Sequence, residues 1–421
     1  MPLNPISEQR KIAQKYIIGY YSSKKDFESK LSESLSNSNL EFELVDLDQL
    51  DNDTLNLYSP ILDEIIADKN LPKGLIEILK NSQDAKPLIR AIGFKDTNDF
   101  THVSGIELEL SDDLNFNNLA NAINSRAKLV ISIKKLQTQS REKSLKFIMQ
   151  LVSILENKDP YTKDHSARVA KYSQAIAEEY FSNFYDEKYG STKSRNPEQY
   201  EQRKHEFVVQ KTNLVILASW AHDIGKNSIA ATLLNKDSKL TDSEYDMIKM
   251  HADFGAQMIR KILGDEEFAE AVENHHERID GNGYHGKDEF SDVAKIIAIS
   301  DSFDAMTTTR PYTTKLDDDT TRNRLKTVQE AINELQISSH FHMDVDTNKM
   351  SQQLDTRMTD ILVKMLKRDL ALIQEGKIDE AVLINGGLDE NGYLKAGFWN
   401  DKAQIYTKDK SVSGYKPQFI N

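Results

Sequence analysis

The chain has 421 residues, of which 38% are hydrophobic and 29% charged, with a formal net charge of −13 and no cysteine. Two or three globular domains suit that length, and no apolar run approaches the ~18 residues of a membrane span. Disulfides and thiolate ligands are excluded, and the acidic balance argues against a basic face for nucleic acid. The opening MPLNPISEQRK lacks the apolar core of a signal peptide, so residues 1–12 read as a tail and the cytoplasm is the expected location.

Residues 13–125 alternate strand-like and helix-like stretches: YIIGYY (16–21), FESKLSESL (27–35), EFELVDL (41–47), PILDEIIAD (60–68), GLIEILKN (74–81), KPLIRAIGF (86–94), GIELEL (105–110) and a helix opening at Asn115. That order predicts a parallel, doubly wound, flavodoxin-like α/β domain. With the run Asp68-Lys69-Asn70-Leu71-Pro72, it resembles a response-regulator receiver, in which an aspartate ending the third strand accepts phosphate. The acidic pair that would hold Mg²⁺ after strand one is replaced here by Tyr20-Tyr21-Ser22-Ser23, and the lysine after strand five by Ser111 or Asp112. Without that acidic charge, the expectation is a pseudo-receiver with Asp68 as a degenerate phospho-acceptor. A turn aspartate before Leu71-Pro72 is the plainer alternative.

A connecting helix is expected over 126–157. Leu119, Ile123, Ala127, Val130, Ile133 and Leu136 recur at three- and four-residue steps, and Leu145, Ile148, Val152 and Leu155 resume the pattern. Such a helix can pair with a second copy, making a homodimer one expectation, or pack on its own domain.

The helix should break at Asp159-Pro160, opening a second domain expected over 158–375. His165 begins His-Ser-Ala-Arg-Val. The polar stretch 181–207 reads as an insertion, and TNLVILASWAHD leads to His222-Asp223-Ile224-Gly225-Lys226. The near-wholly apolar run before His222 and Asp223 predicts that both are buried, and buried charges need partners or a metal. On a helix, Lys226 would lean over the same face. Thr241 and Glu244 are spaced as a capping box ahead of His251. His275 and His276 precede Asp280 and the glycines 281, 283 and 286, while Asp301 and Asp304 end another apolar helix, with Arg310 beyond it. Closing helices are expected over Asp318–Ile337 and Asp355–Gln374, with a polar loop holding His340 and His342 between them. Residues 376–421 suggest a small hairpin extension. With cysteine absent, a metal here must be held by His, Asp and Glu, which suits iron, manganese or zinc.

His165, the His222–Lys226 run, His251, His275-His276, Gly283-Tyr284, and Asp301 with Arg310 together resemble the HD-GYP phosphodiesterases of the HD superfamily, over about residues 145–365. The resemblance implies a helical catalytic domain hydrolysing cyclic di-GMP to pGpG or GMP. By it, His165, His222, Asp223 and Asp301 would hold one metal, with Asp223 bridging to a second held by His251, His275 and His276. Asp223 and Lys226 would act in catalysis. Lys226, Gly283, Tyr284, Asp304 and Arg310 would contact the dinucleotide. Tyr161 stands where three-metal members carry glutamate, so two divalent ions are expected, iron or manganese first. His285 replaces the motif's proline and the loop up to Asp301 is shortened. Two alternatives stay open: a weakly catalytic cyclic-dinucleotide receptor, and a phosphohydrolase acting on another nucleotide such as cyclic GMP-AMP.

Overall fold

Strand and helix signals in the first third resolve into a five-stranded, all-parallel sheet. In the computed structural model the described residues are 15–36, 38–50, 55, 62–68, 71, 87–92, 108–111, 115–158, 165–193, 197–236, 238, 240–308, 325–340, 342–343, 350–384, 388–389 and 391–394. Strands β1 (Lys15–Tyr21), β2 (Glu41–Asp46), β3 (Glu64–Ala67), β4 (Leu88–Ile92) and β5 (Leu108–Ser111) lie in the order β2-β1-β3-β4-β5. Helix α1 (Phe27–Leu35) follows β1. Parallel strands are covered on both faces, so their residues run apolar without alternation; Ile65, Ile66 and Ala67 of β3 are all fully buried. One charged side chain breaks that run. Glu64 is wholly buried, accepts from the Tyr16 hydroxyl at 2.7 Å, and is ion-paired with Arg90 on β4. The helix expected over 74–81 lies outside the described residues.

Helix α2 (Phe116–Lys158) is continuous over 43 residues, and Asn115 caps it by accepting from the Asn117 and Asn118 amides at 3.0 and 3.1 Å. The chain divides into two compact units inside this helix, one running from Ile6 to Glu142 and the other from Lys143 onward. In the first unit, Ala120, Ile123 and Ala127 join the sheet's core with Tyr16, Ile18 and Ile66. In the second, Leu145, Ile148 and Val152 belong to the helical core. The described helix stops at Lys158, directly before Asp159-Pro160.

The helical unit contains α3 (His165–Tyr189), α4 (Pro197–Ala221), a 3₁₀ segment at Ile224–Ser228, and the short α5 (Ala231–Leu234). Then come α6 (Asp242–Lys249), α7 (His251–Leu263), α8 (Glu266–Glu273), α9 (Asp292–Thr307), α10 (Val328–Ser339) and α11 (Thr356–Gln374). Two sequence expectations change here. The stretch 181–207 is not peripheral to a core: α3 and α4 extend through it, and Phe181, Tyr185, Tyr189 and Tyr200 are buried. Phe184 stacks on Phe207 with ring centres 6.1 Å apart, so aromatic contact joins the two helices along a stretch whose other residues are mostly polar or charged. The penultimate helix starts at Val328, not Asp318, because Thr327 and Glu330 close a capping box there and residues 325–327 are not helical. A second capping box, Thr241 with Glu244, starts α6 as the spacing predicts. β6 (His342–Met343) pairs antiparallel with β7 (Met350–Ser351), and Leu388 bridges Leu394 around the Asn391-Gly392 turn, where a hairpin is expected. Among the described residues no helix is long and apolar enough to cross a membrane.

Candidate metal centre

The end of α4 is driven inward by Val215, Ala218 and Ala221, none of which is exposed at all. His222 and Asp223 therefore emerge at its exit buried, at 1% and 3% exposure. The helix does not continue through them. It yields to the 3₁₀ segment, in which Lys226 reaches back to Asp223, Nζ to Oδ2 at 2.6 Å. Gly225 has a steric reason: a Cβ there would lie 1.9 Å from the His251 carbonyl oxygen and 2.5 Å from the Gly255 nitrogen. The backbone after Asp223 thus packs directly on the first turn of α7, the turn that carries His251.

Three ligand groups converge around this contact: His165 with His222 and Asp301, His222 with Asp223 and His275, and His251 with His275 and His276. Within each, one donor atom per residue lies within 4.8 Å of the others. Asp223 joins them. Its Oδ1 faces His251 Nε2 at 3.3 Å, while Oδ2 faces His222 Nε2 at 3.5 Å and His165 Nε2 at 3.9 Å. Asp301 Oδ1 lies 3.4 Å from His165 Nε2.

The histidine protons point away from the centre. Nδ1 of His222 donates to the Ser219 carbonyl at 2.7 Å, that of His251 to Ile248 at 2.7 Å, and that of His275 to Val272 at 2.6 Å. A carbonyl can only accept, so the proton sits on Nδ1 and Nε2 presents a lone pair inward. His165 does the same through Asp304, Nδ1 to Oδ2 at 2.8 Å. His165 and His222 then oppose Nε2 to Nε2 at 3.3 Å, and His251 and His275 at 3.4 Å. Facing lone pairs repel, and a cation between them turns the repulsion into coordination. An outer acceptor fixing each ligand's tautomer is the usual support of histidine metal sites. The donor set fits a hard or borderline divalent ion.

The charge states agree. Burial, then the neighbouring histidines, hold His275 well below the ordinary histidine range, and burial with His251 pushes His276 down to about 3, so both are neutral ligands. Burial alone would raise Asp223, but Lys226 and the surrounding histidines hold it well below the carboxylate range. Burial opposes ionisation of Asp304 too, yet its bonds with His165 and Arg168 bring it down to about 2.

Asp304 is the principal correction to the sequence reading. Expected at the dinucleotide, it is fully buried behind His165, with both oxygens engaged by Arg168, Nε to Oδ1 at 2.6 Å and Nη2 to Oδ2 at 3.0 Å. It faces His165 Nδ1 from behind, away from the other ligand groups. Arg168, one turn along α3 from His165, completes that support and is not singled out by the sequence. The Gly283-Tyr284 loop is also held differently. A Cβ at Gly283 would lie 2.5 Å from Glu277 Cα and 2.8 Å from the His276 carbonyl oxygen, so the glycine admits the protein's own backbone. Tyr284 lies against His276, ring centres 4.5 Å apart. His285, an exposed loop residue outside the ligand groups, bridges Glu277 at 3.0 Å and Asp253 at 3.1 Å. Glu277, buried and unremarked in the sequence, gathers the loop by accepting from the His285 and Lys287 amides at 2.6 and 2.8 Å. His340 is in none of the ligand groups. Arg310 and Tyr161 lie outside the described residues.

In the first unit, Asp68 follows β3. It accepts from the Ser22 hydroxyl at 2.6 Å and the Ser23 amide at 2.7 Å, so the residues standing in for an acidic pair bind the aspartate themselves.

Residues 190–346 match the HD domain family. A 3'3'-cGAMP-specific phosphodiesterase of Vibrio cholerae serotype O1 is 30% identical over 164 residues, covering 38% of this chain and 30% of that protein. A cyclic di-GMP phosphodiesterase of Pseudomonas aeruginosa is 38% identical over 102 residues, 23% of this chain and 24% of the other. One from Thermotoga maritima is 28% identical over 228 residues, 51% of each. The matched stretches thus span between 24% and 51% of these relatives' lengths. Residues 190–346 are thus similar to the HD domain family, and six of the seven residues of the buried His-Asp ring fall inside that match, which also relates the chain to cyclic di-GMP and 3'3'-cGAMP phosphodiesterases over part of their length.

Proposed function

We propose that the protein is a metal-dependent phosphodiesterase that opens a cyclic dinucleotide, cyclic di-GMP first, to pGpG or GMP. One observation carries this: the two oxygens of Asp223 face different histidine groups, Oδ1 towards His251 and Oδ2 towards His222 and His165. A carboxylate so placed can serve two cations, and we assign two per chain, iron or manganese. His165, His222, Asp223 and Asp301 would hold one, and His251, His275 and His276 with Asp223 the other. Bound there, such ions supply Lewis acidity towards the phosphate and a water acidic enough to attack at neutral pH.

The chain's own residues do the rest. Asp304 and Arg168 keep His165 in the tautomer that offers Nε2. Lys226, 16% exposed at its side chain and already beside Asp223, brings a fixed ammonium to the edge of the ring. There it would offset charge developing on the phosphate or return a proton to the departing sugar oxygen. Arg310 is assigned to the other phosphate through a bidentate fork. Gly283 shapes the loop that seats Tyr284 at the pocket wall. The first unit is read as a receiver-like domain that Ser22 and Ser23 have made unfit for phosphorylation, and α2 as the segment through which two copies pair in the cytoplasm.

The activity that names the Vibrio cholerae relatives favours a second reading, with 3'3'-cGAMP as the preferred substrate. Incubating iron- or manganese-loaded protein with each cyclic dinucleotide and separating the products tests both readings. Linear pGpG or GMP supports the first, faster loss of 3'3'-cGAMP supports the second, and binding without product leaves a receptor.

A further inference from the structure

Beside the ligand ring, α6 carries a group that the proposed chemistry does not use. Tyr245 is 46% exposed, and Met247 and Met250 on the same segment are 54% and 44% exposed. The Lys249 ammonium lies 4.7 Å from the centre of the Tyr245 ring and 5.9 Å from that of Tyr284. Tyr284 lies against His276, while His251 starts the next helix two residues after Lys249. A cation and an open aromatic face thus sit together at the rim of the metal centre. The acidic partner of Lys249, Asp246 at 3.0 Å, is 70% exposed at its side chain, so solvent weakens the pair. On the first turn of α7, Asp253 is held by His285 at 3.1 Å, and the charges of Asp223 and Asp301 also act on Tyr284.

We propose that Tyr245 and Lys249 form a second ligand subsite, in which the Tyr245 ring stacks on a nucleobase and Lys249 contacts the phosphate that is not being cleaved. The inference rests on the cyclic-dinucleotide reading above. Its chemistry is general: a nucleobase presents a π face to any exposed aromatic ring, and an ammonium fixed over two rings has already given up part of its hydration and freedom. With one phosphate at the metals, the other has room for a second cation beside the Arg310 assigned to it, and Lys249 is a cation built into the same wall as Tyr284.

The test uses the full-length, metal-loaded protein with cyclic di-GMP, measuring steady-state kinetics and equilibrium binding by calorimetry. Lys249→Met should raise KM and Kd about 10-fold, the scale of a lost charge-assisted hydrogen bond, with metal content unchanged and kcat within about twofold. Tyr245→Ala should raise both constants similarly, whereas Tyr245→Phe, which keeps the ring, should stay near wild type. Lys261→Met, which removes the same charge from the far end of α7, serves as the control and should change neither constant. Unchanged KM and Kd in Lys249→Met and Tyr245→Ala overturn the subsite, as does a wild type that does not bind cyclic di-GMP. A wild type that binds the ligand without cleaving it removes the proposed reaction instead, and the Kd values of the variants then decide the subsite alone.

Discussion

Asp68 in the first unit and Asp223 in the second each end a buried apolar element, yet their surroundings make them chemically opposite. Asp68 is half-buried and both its oxygens are occupied by neutral donors, the Ser22 hydroxyl and the Ser23 amide. Such a carboxylate is satisfied by the protein and has no further need of a cation. Asp223 is 3% exposed and looks onto imidazole nitrogens whose protons have been sent elsewhere, with one lysine at its edge. What marks a metal centre is therefore less the carboxylate itself than whether the donors around it have been given away to the outside.

The largest effect that would break this contrast comes from Asp223→Ala. Removing the oxygens that join the two histidine groups should release both ions and abolish hydrolysis, as read by elemental analysis of anaerobically purified protein; retention of two ions per chain would contradict the bridging assignment. Lys226→Ala should keep the metals and lower turnover by about 10²-fold, as for other lost donors to a charged transition state; unchanged kcat would remove that role. Asp304→Asn cannot accept at His165 and Arg168 as the carboxylate does. It should weaken metal binding about 10–100-fold, the range for lost outer partners of a ligating histidine, as measured by chelator competition.

Smaller effects sharpen the other side. Asp68→Ala should leave hydrolysis unchanged and cost on the order of 1–3 kcal/mol by leaving the Ser22 and Ser23 donors without their acceptor. Wild-type protein should take up no label from acetyl phosphate, and stable labelling at Asp68 would restore a working receiver. Glu178 supplies a third case, half-buried, with the Gln174 amide donating to it at 2.8 Å. Burial raises its pKa to about 7, the amide bond opposing the shift. The folded state therefore prefers the protonated form: that contribution is complete below the ordinary glutamate range and is lost as pH rises through about 7. Glu178→Gln should raise stability by about 1 kcal/mol at pH 8 and by much less at pH 4, as followed by urea denaturation.

The same contrast explains what can be read from the chain alone. The seven candidate ligands are legible through the motif order that resembles the HD-GYP phosphodiesterases, and the structure brings all seven into three overlapping donor groups. His165 lies upstream of the residues matched to the HD family, yet it joins His222 and Asp301 as its position in the motif order implies. Asp304 misleads because an aspartate three residues after a ligand looks like another group aimed at the site. Only the buried pairing with Arg168 separates support from contact. The aromatic seam of 181–207 is hidden by surrounding charge, which registers as solvent exposure when counted by composition. In the first unit, the strands that are buried on both faces are legible as apolar runs. The serines that occupy Asp68 can be seen as missing acids but not as its partners.

The contact at Gly225 has a consequence for how the centre tolerates change. The two peptide segments that deliver Asp223 and His251 touch main chain to main chain, with no room between them for even one methyl group. Side chains elsewhere in the core can swap rotamers or shrink and be repacked, but a rigid spacer made of two amide planes has no such slack. The distance between the two halves of the ring is thus calibrated by covalent geometry, and drift in the surrounding hydrophobic residues would soften the fold before it detuned the spacing of the donor atoms.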